Sequence, residues 1–450
     1  MELRARTKLG IVVAAAATFA ALLASYSAFR PVRDALILDR NPDSLPWVWL
    51  ATFLAIGIAS PVWSALLARR SPRRFVGVAF HVFAACLIGF VLLVRSEVAP
   101  VVVGRVFYVW SAVFNLFVIS VFWSLLADLL GPTTARQLYG PIAAGGTIGA
   151  IAGPALSGLL VGTIGVAGVL LISALLLELA VVGVRFVQRA AEGGVREPGT
   201  DPRGGAAAAE PGTAAAEPSA AAEPGAAAAE PGALRGGGAF TGIVQVARSP
   251  YLAAIVGYVV CTSCAATFMY LAQARIVYAA HLDVVARTAY FSSIDVWTQV
   301  AAFALQLVIA GPALRWLGPG IVLAVLPIAQ AVGLSVLAAV PELGVLAVVQ
   351  VIGKAATHGL TRPARELLFT VVSRDDKYRA KNAIDTIGYR FGDLGSSWLN
   401  KGLAAIGGGA LALATIPLVA IWLGLAAIVG IGFHRRVARS SADALAKERT

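Results

Sequence analysis

Between Thr361 and Asp393 the chain carries twelve charged residues in 33, against 13% charged overall, and long apolar runs flank this stretch on both sides. A charge at the centre of a membrane helix costs about 2.5–3.5 kcal/mol unless it is paired or hydrated. Charges kept in such surroundings therefore mark where ions are handled. The same argument selects Arg30 and Arg33 after the first apolar run, Asp128 and Arg275 near the ends of later runs, and Asp295 inside one. Arginine offers phosphate a planar fork of donors and lysine a point charge. Lys354, His358, Thr361 and Arg365 follow at intervals of 4, 3 and 4 and share one helical face. Tyr108, Ser111, Asn115 and Phe122 form another stripe, against which a ring can lie, and Asp295, Gln299 and Gln306 share a third. The chemistry in view is binding of a small anionic substrate. Its candidate contacts are Arg30, Arg33, Asp128, Arg275, Asp295, Lys354, His358, Arg365, Lys381 and Asp385.

Each group has a plainer reading. Arg33 with Asp34, Lys381 with Asp385, and Asp128 with Arg136 can be ion pairs that close a gate. His358 can be a packing histidine, and the Tyr108–Phe122 stripe can be core. Asp295 has no basic residue within a turn of its own helix, which favours function. Gly145, Gly149 and Gly153 with Ser157 form a small-xxx-small ladder for close helix contact. No G-x-x-x-x-G-K-[ST] occurs, so ATP hydrolysis, and with it an enzyme, is not expected. Cys86, Cys261 and Cys264 lie in apolar segments with no companion cluster, so neither metal nor cofactor is expected.

The elements that must hold these groups are membrane helices. The chain has 450 residues, 58% hydrophobic, with a mean hydropathy of +0.80, far from the composition of soluble domains. Apolar runs predict twelve spans, at about 9–29, 47–67, 76–94, 100–130, 140–162, 166–184, 251–272, 289–310, 319–339, 343–371, 382–400 and 409–433. The first leads into Arg30-Pro31-Val32-Arg33-Asp34 rather than a cleavage site, so it is read as a retained helix. Residues 190–238 repeat Ala-rich tracts ending in Glu-Pro and predict a disordered tether, whose deletion over 200–232 should leave activity nearly unchanged. With the tether excluded, one set of helix ends holds about three times as many Lys and Arg as the other. That asymmetry predicts cytoplasmic termini and explains a pI near 10.0 without nucleic acid.

The result is an all-α polytopic membrane protein: a six-helix half over 1–189, a cytoplasmic linker over 190–238, and a second six-helix half with a basic tail over 239–450. This is the layout of the major facilitator superfamily, whose halves are parallel repeats. Arg136, Gly145 and Gly149 recur 243 residues later as Arg379, Gly388 and Gly392.

Four stretches carry a closer resemblance: F-R-P-V-R-D-A-L, F-W-S-L-L-A-D-L-L-G-P-T-T-A-R-Q-L-Y-G, F-S-S-I-D-V-W-T-Q-V, and the charged stretch from Arg362 to Asp393. They are similar to segments of the ATP/ADP translocase family, and most similar to its bacterial relatives. The resemblance implies exchange of nucleotides or other phosphorylated anions by alternating access. It implies functional charges at Arg33, Asp128, Asp295 and Lys381, where characterised exchangers tend to have Lys, Glu, Glu and a basic residue. It also implies a monomer in the bacterial inner membrane, with lipid and a small anion as its partners. On this reading Arg33 and Lys381 hold opposite sides of one substrate. Two other readings stand beside it: a proton-coupled carrier in which Asp295 or His358 titrates, and a membrane sensor or scaffold.

Overall fold

The computed structural model describes residues 2–38, 44–69, 72–130, 132–194, 246, 249–372, 389–406 and 408–448. The helices are α1 (Glu2–Ile37), α2 (Leu45–Arg69), α3 (Pro72–Ser96), α4 (Pro100–Leu129), α5 (Pro132–Gly194), α6 (Pro250–Ala279), α7 (Val284–Ala304), α8 (Gly311–Trp316), α9 (Gly318–Ala339), α10 (Leu343–Ala356), α11 (Arg362–Leu368), α12 (Tyr389–Ile406) and α13 (Gly408–Glu448). Proline opens α3, α4, α5 and α6, where its fixed φ suits a first turn whose N–H groups are unbonded anyway. Ser249 caps α6 by accepting the Leu252 amide.

Among the described residues, ten helical segments are long and apolar enough to cross a membrane. One of them, Gln137–Ala191, is broken by Gly165 at φ 68, a conformation open to glycine. Its two arms take the places of the fifth and sixth expected spans. Leu159, Leu175, Ile58 and Leu307 are more than half exposed, as side chains facing lipid should be. The protein is all-α and crosses the membrane many times.

Three expected spans are built differently from a single helix with the expected ends. α1 runs past Arg30 and Pro31 to Ile37, because its charges find partners inside the protein. The span expected at 289–310 is α7, a π-turn over Leu305–Ala310, and α8. The span expected at 343–371 is α10, a π-turn over Thr357–Thr361, α11, and a 3₁₀ turn over Phe369–Val371. Most of the linker, residues 195–238, and the start of the eleventh expected span lie outside the described residues.

The chain forms two compact units. Unit 1 comprises Met1–Asn41, Leu50–Ala221 and His281–Val296; unit 2 comprises Pro42–Trp49, Ala222–Ala280 and Trp297–Thr450. In unit 1, α1 lies against α4 and α5, over a core rich in phenylalanine that includes Phe19, Phe29, Phe80, Phe114 and Phe122. The glycine ladder makes the α1–α5 contact close. A Cβ on Gly145, Gly149 or Gly153 would overlap the carbonyl oxygen of Ala16, Ala20 or Ala24 respectively. In unit 2, α6 packs on α12 and α13. There Tyr258 donates to the Leu323 carbonyl at 2.8 Å and Tyr251 to the Leu368 carbonyl at 3.0 Å, so the buried phenols are bonded.

The 243-residue echo is carried by contacts as well as by letters. Gly149 faces Ala20, and their counterparts 243 positions on, Gly392 and Ser263, also face each other. Arg379 and Gly388 lie outside the described residues.

Candidate functional site

The site in unit 1 grows from one and a half turns of α1. Arg30 stands on its buried face and reaches α7, with Nε 3.1 Å from Asp295 Oδ2 and Nη2 2.6 Å from Asp295 Oδ1. Two nearly parallel charge-assisted bonds from one guanidinium to one carboxylate make the strongest common form of ion pair. Both side chains are 5% exposed. The partner that Asp295 lacks on its own helix is supplied from α1, 265 residues earlier. Sequence spacing cannot see such a pairing.

One turn further, Arg33 donates from Nε at 3.1 Å and from Nη2 at 2.5 Å to Asp34 Oδ1. Its guanidinium lies 4.8 Å from the centroid of the Tyr108 ring, a cation–π contact in dry surroundings. Arg33 is 2% exposed. The sequence reading put these arginines at a helix end; they lie inside a helix, in the protein interior.

The α4 stripe is buried along its length. Phe122 stacks on Phe19 with centroids 4.8 Å apart and planes 4° from parallel. Ser111 donates to the Tyr108 carbonyl at 2.7 Å. With Tyr108 covered by Arg33, the stripe is packing at Phe122 and part of the charged site at Tyr108. Asn115 lies between them, 6% exposed.

The other expected residues are dispersed. Asp128 is exposed near the end of α4, and Arg73 of α3 is the cation whose charge acts on it. In unit 2, Arg275 of α6 donates to Asn400 Oδ1 at 2.8 Å. Lys354 and Arg365 are half-buried, while His358 is 2% exposed. The π-turn at Thr357–Thr361 changes the face on which the 4-3-4 spacing placed these groups. Gln306, from the other π-turn, donates to the His358 carbonyl at 2.9 Å. Lys381 and Asp385 lie outside the described residues. Among the described residues no three His, Cys, Asp or Glu side chains gather as metal ligands.

Three ionisable groups in two places are absent from the expected contacts, although Asp393 closes the charged stretch. Asp393 on α12 is 7% exposed and accepts from the hydroxyls of Ser263 and Thr267, the latter at 3.5 Å. Ser263 and Thr267 stand one turn apart on α6, a spacing visible in the sequence once a partner acid is sought. Replacing Ser263 with alanine should lower stability by about 1.5–3 kcal/mol, the worth of a hydrogen bond to a charged group, measured as thermal unfolding in detergent. On the outer face of unit 1, His81 Nδ1 and Glu178 Oε1 are 2.8 Å apart and both nearly half exposed. They sit among exposed Val78, Val82, Leu175 and Leu179.

No family model and no curated protein matches the sequence. Solved structures do resemble the fold. A crystal structure of the nucleoside transporter NupG superposes with a TM-score of 0.57 at 15% identity, covering 96% of this chain and 99% of that one. A bacterial homologue of the iron transporter ferroportin, in its inward-facing state, gives 0.56 at 12% identity over 96% and 98%. A bacterial homologue of the lysosomal transporter Spinster, inward-facing and unoccupied, gives 0.50 at 14% identity over 96% and 98%. At such identities the likeness establishes the fold alone, an all-α polytopic one shared with these transporters.

Proposed function

We propose that the protein is a secondary transporter that moves a small phosphorylated anion by exchange. One observation carries this reading: two arginines, Arg30 and Arg33, buried in a membrane helix, each facing a carboxylate. A scaffold that needed only packing would hold Leu there, because a buried ion pair seldom adds stability over apolar side chains of equal volume. An arginine fork closed on a side-chain carboxylate is also a fork that a substrate phosphate can take over. The arginine is then paired at every stage, with its carboxylate when empty and with the phosphate when loaded, so the cation is never left bare in the membrane interior. The fold shared with NupG and the ferroportin homologue supports a transporter. The resemblance to ATP/ADP translocases supports the phosphorylated class, since Arg33, Asp128 and Asp295 keep the signs of that family's charges.

Uptake by proteoliposomes tests this. Vesicles preloaded with unlabelled phosphate, sugar phosphate, ADP or ATP should accumulate labelled anion faster than empty vesicles, and equal uptake by both sets would contradict exchange. The lysine and arginine asymmetry further supports an inner-membrane protein with both termini cytoplasmic. Reporter fusions at Ala220 and Thr450 should therefore both be active only in the cytoplasm.

A further inference from the structure

We infer that the unit 1 site takes a compact hydroxylated monophosphate, a sugar or polyol phosphate, in preference to a nucleotide; this rests on the anion-exchange reading above and names its substrate. Tyr26 Oη, Asn115 Oδ1, Ser157 Oγ and Ser292 Oγ are buried and have no hydrogen-bond partner among the described residues. The four side chains are at most 6% exposed. Native interiors leave few polar atoms in that condition, and such atoms commonly mark a function.

Two of these groups stand one turn from the ion pair, and the other two lie on α4 and α5, which pack against α1. Tyr26 precedes Arg30 by one turn, and the charges acting on its hydroxyl are Arg33, Arg30, Asp34 and Asp295. Ser292 precedes Asp295 by one turn of α7. Ser157 is the neighbour of Gly158, where an added Cβ would stand 3.1 Å from the Ser292 Cβ. Asn115 follows Phe114, whose ring lies 6.2 Å from Tyr26 and 5.2 Å from Phe29. Three of the free atoms are hydroxyls that donate or accept, and the fourth only accepts. A ligand rich in O–H groups matches the chemistry of all four.

Charge and shape point the same way. The two cations near Tyr26 are balanced by two carboxylates, so every negative charge the ligand brings is surplus, and a monophosphate brings about two at most. A nucleoside triphosphate would bring several more negative charges. A base would also need an open ring face, whereas Phe122 is stacked on Phe19 and Tyr108 is covered by Arg33. Phe107 and Trp110 are stacked on each other, 5.8 Å apart.

The test uses the full-length protein in proteoliposomes loaded with labelled inorganic phosphate. Glucose 6-phosphate, glycerol 3-phosphate, AMP and ATP are added outside as drivers of efflux. The two hydroxylated esters should half-saturate at concentrations about tenfold or more below the nucleotides. Ser157→Ala and Ser292→Ala should each reduce the preference for glucose 6-phosphate over external phosphate about three- to tenfold. Nucleotides that drive efflux as well as the esters would overturn the inference, as would an unchanged preference in both variants; in either case anion exchange would stand. If no anion drives efflux, both readings fall. The wild-type comparison decides the matter even where a variant fails to fold.

Discussion

Arg30→Gln should abolish exchange and also destabilise the protein, because it leaves Asp295 charged and buried without its fork. Removing one member of a buried ion pair typically costs about 3–5 kcal/mol. Asp295 is 4% exposed and receives both of the Arg30 bonds, so the full penalty applies. Asp295→Asn should be as harmful to stability for the mirror reason. The Arg30→Gln, Asp295→Asn double variant removes both charges, and thermal unfolding should return to within about 1–2 kcal/mol of wild type, since neutral pairs in such places are tolerated. Exchange should stay absent in the double variant, because the Arg30 fork that the anion takes over is gone. Transport restored together with stability would make the pair a latch that closes the protein and would remove Arg30 from the binding role. The Arg33–Asp34 pair allows the same cycle with Asp34→Asn.

Gly149→Leu should prevent the protein from reaching its folded form. The glycine lies so close to Ala20 that even a Cβ would overlap the backbone of α1. Overpacking a core costs about 1–3 kcal/mol when side chains can adjust, and here the obstacle is backbone. Helix association in membranes depends on such close approach of small residues. The expected result is loss of monodisperse protein on size exclusion in mild detergent, with Gly149→Ala intermediate. Gly10, where a Cβ would meet nothing within 4 Å, is the control: Gly10→Leu should behave as wild type. Normal yield and profile for Gly149→Leu would show that α1 and α5 are not held as described.

What the sequence disclosed, and what it hid, follows from the range of each interaction. Hydropathy is local, so the spans were legible, and so was the glycine ladder, whose period lies within one helix. The echo of Gly149 in Gly392 could be read as letters, and the contact of each with Ala20 or Ser263 gives it a structural meaning. The partner of Asp295 could not be read, because the rule applied, a basic residue within one turn, stops at the helix that carries the acid. Asp393 was hidden for the same reason, with its hydroxyl donors more than a hundred residues away. Charge does not terminate α1, which continues through Arg30, Pro31 and Arg33 because the charges are paired inward. The π-turns at Leu305–Ala310 and Thr357–Thr361 left no mark that spacing could detect. The one at Thr357–Thr361 widens the turn that carries His358 and Thr361 and so alters their angle to Lys354 and Arg365.

Trans-stimulation tests the central claim, that Arg30 exchanges Asp295 for a substrate anion, most directly. Labelled phosphate trapped in proteoliposomes should leave slowly into plain buffer and about tenfold faster or more when a phosphate ester is present outside, since an exchanger with a self-occupied site resets readily only when loaded. The Arg30→Gln, Asp295→Asn protein should show neither efflux nor stimulation. Efflux from the wild type at one rate with and without external ester, or stimulated efflux through the double variant, would contradict the claim.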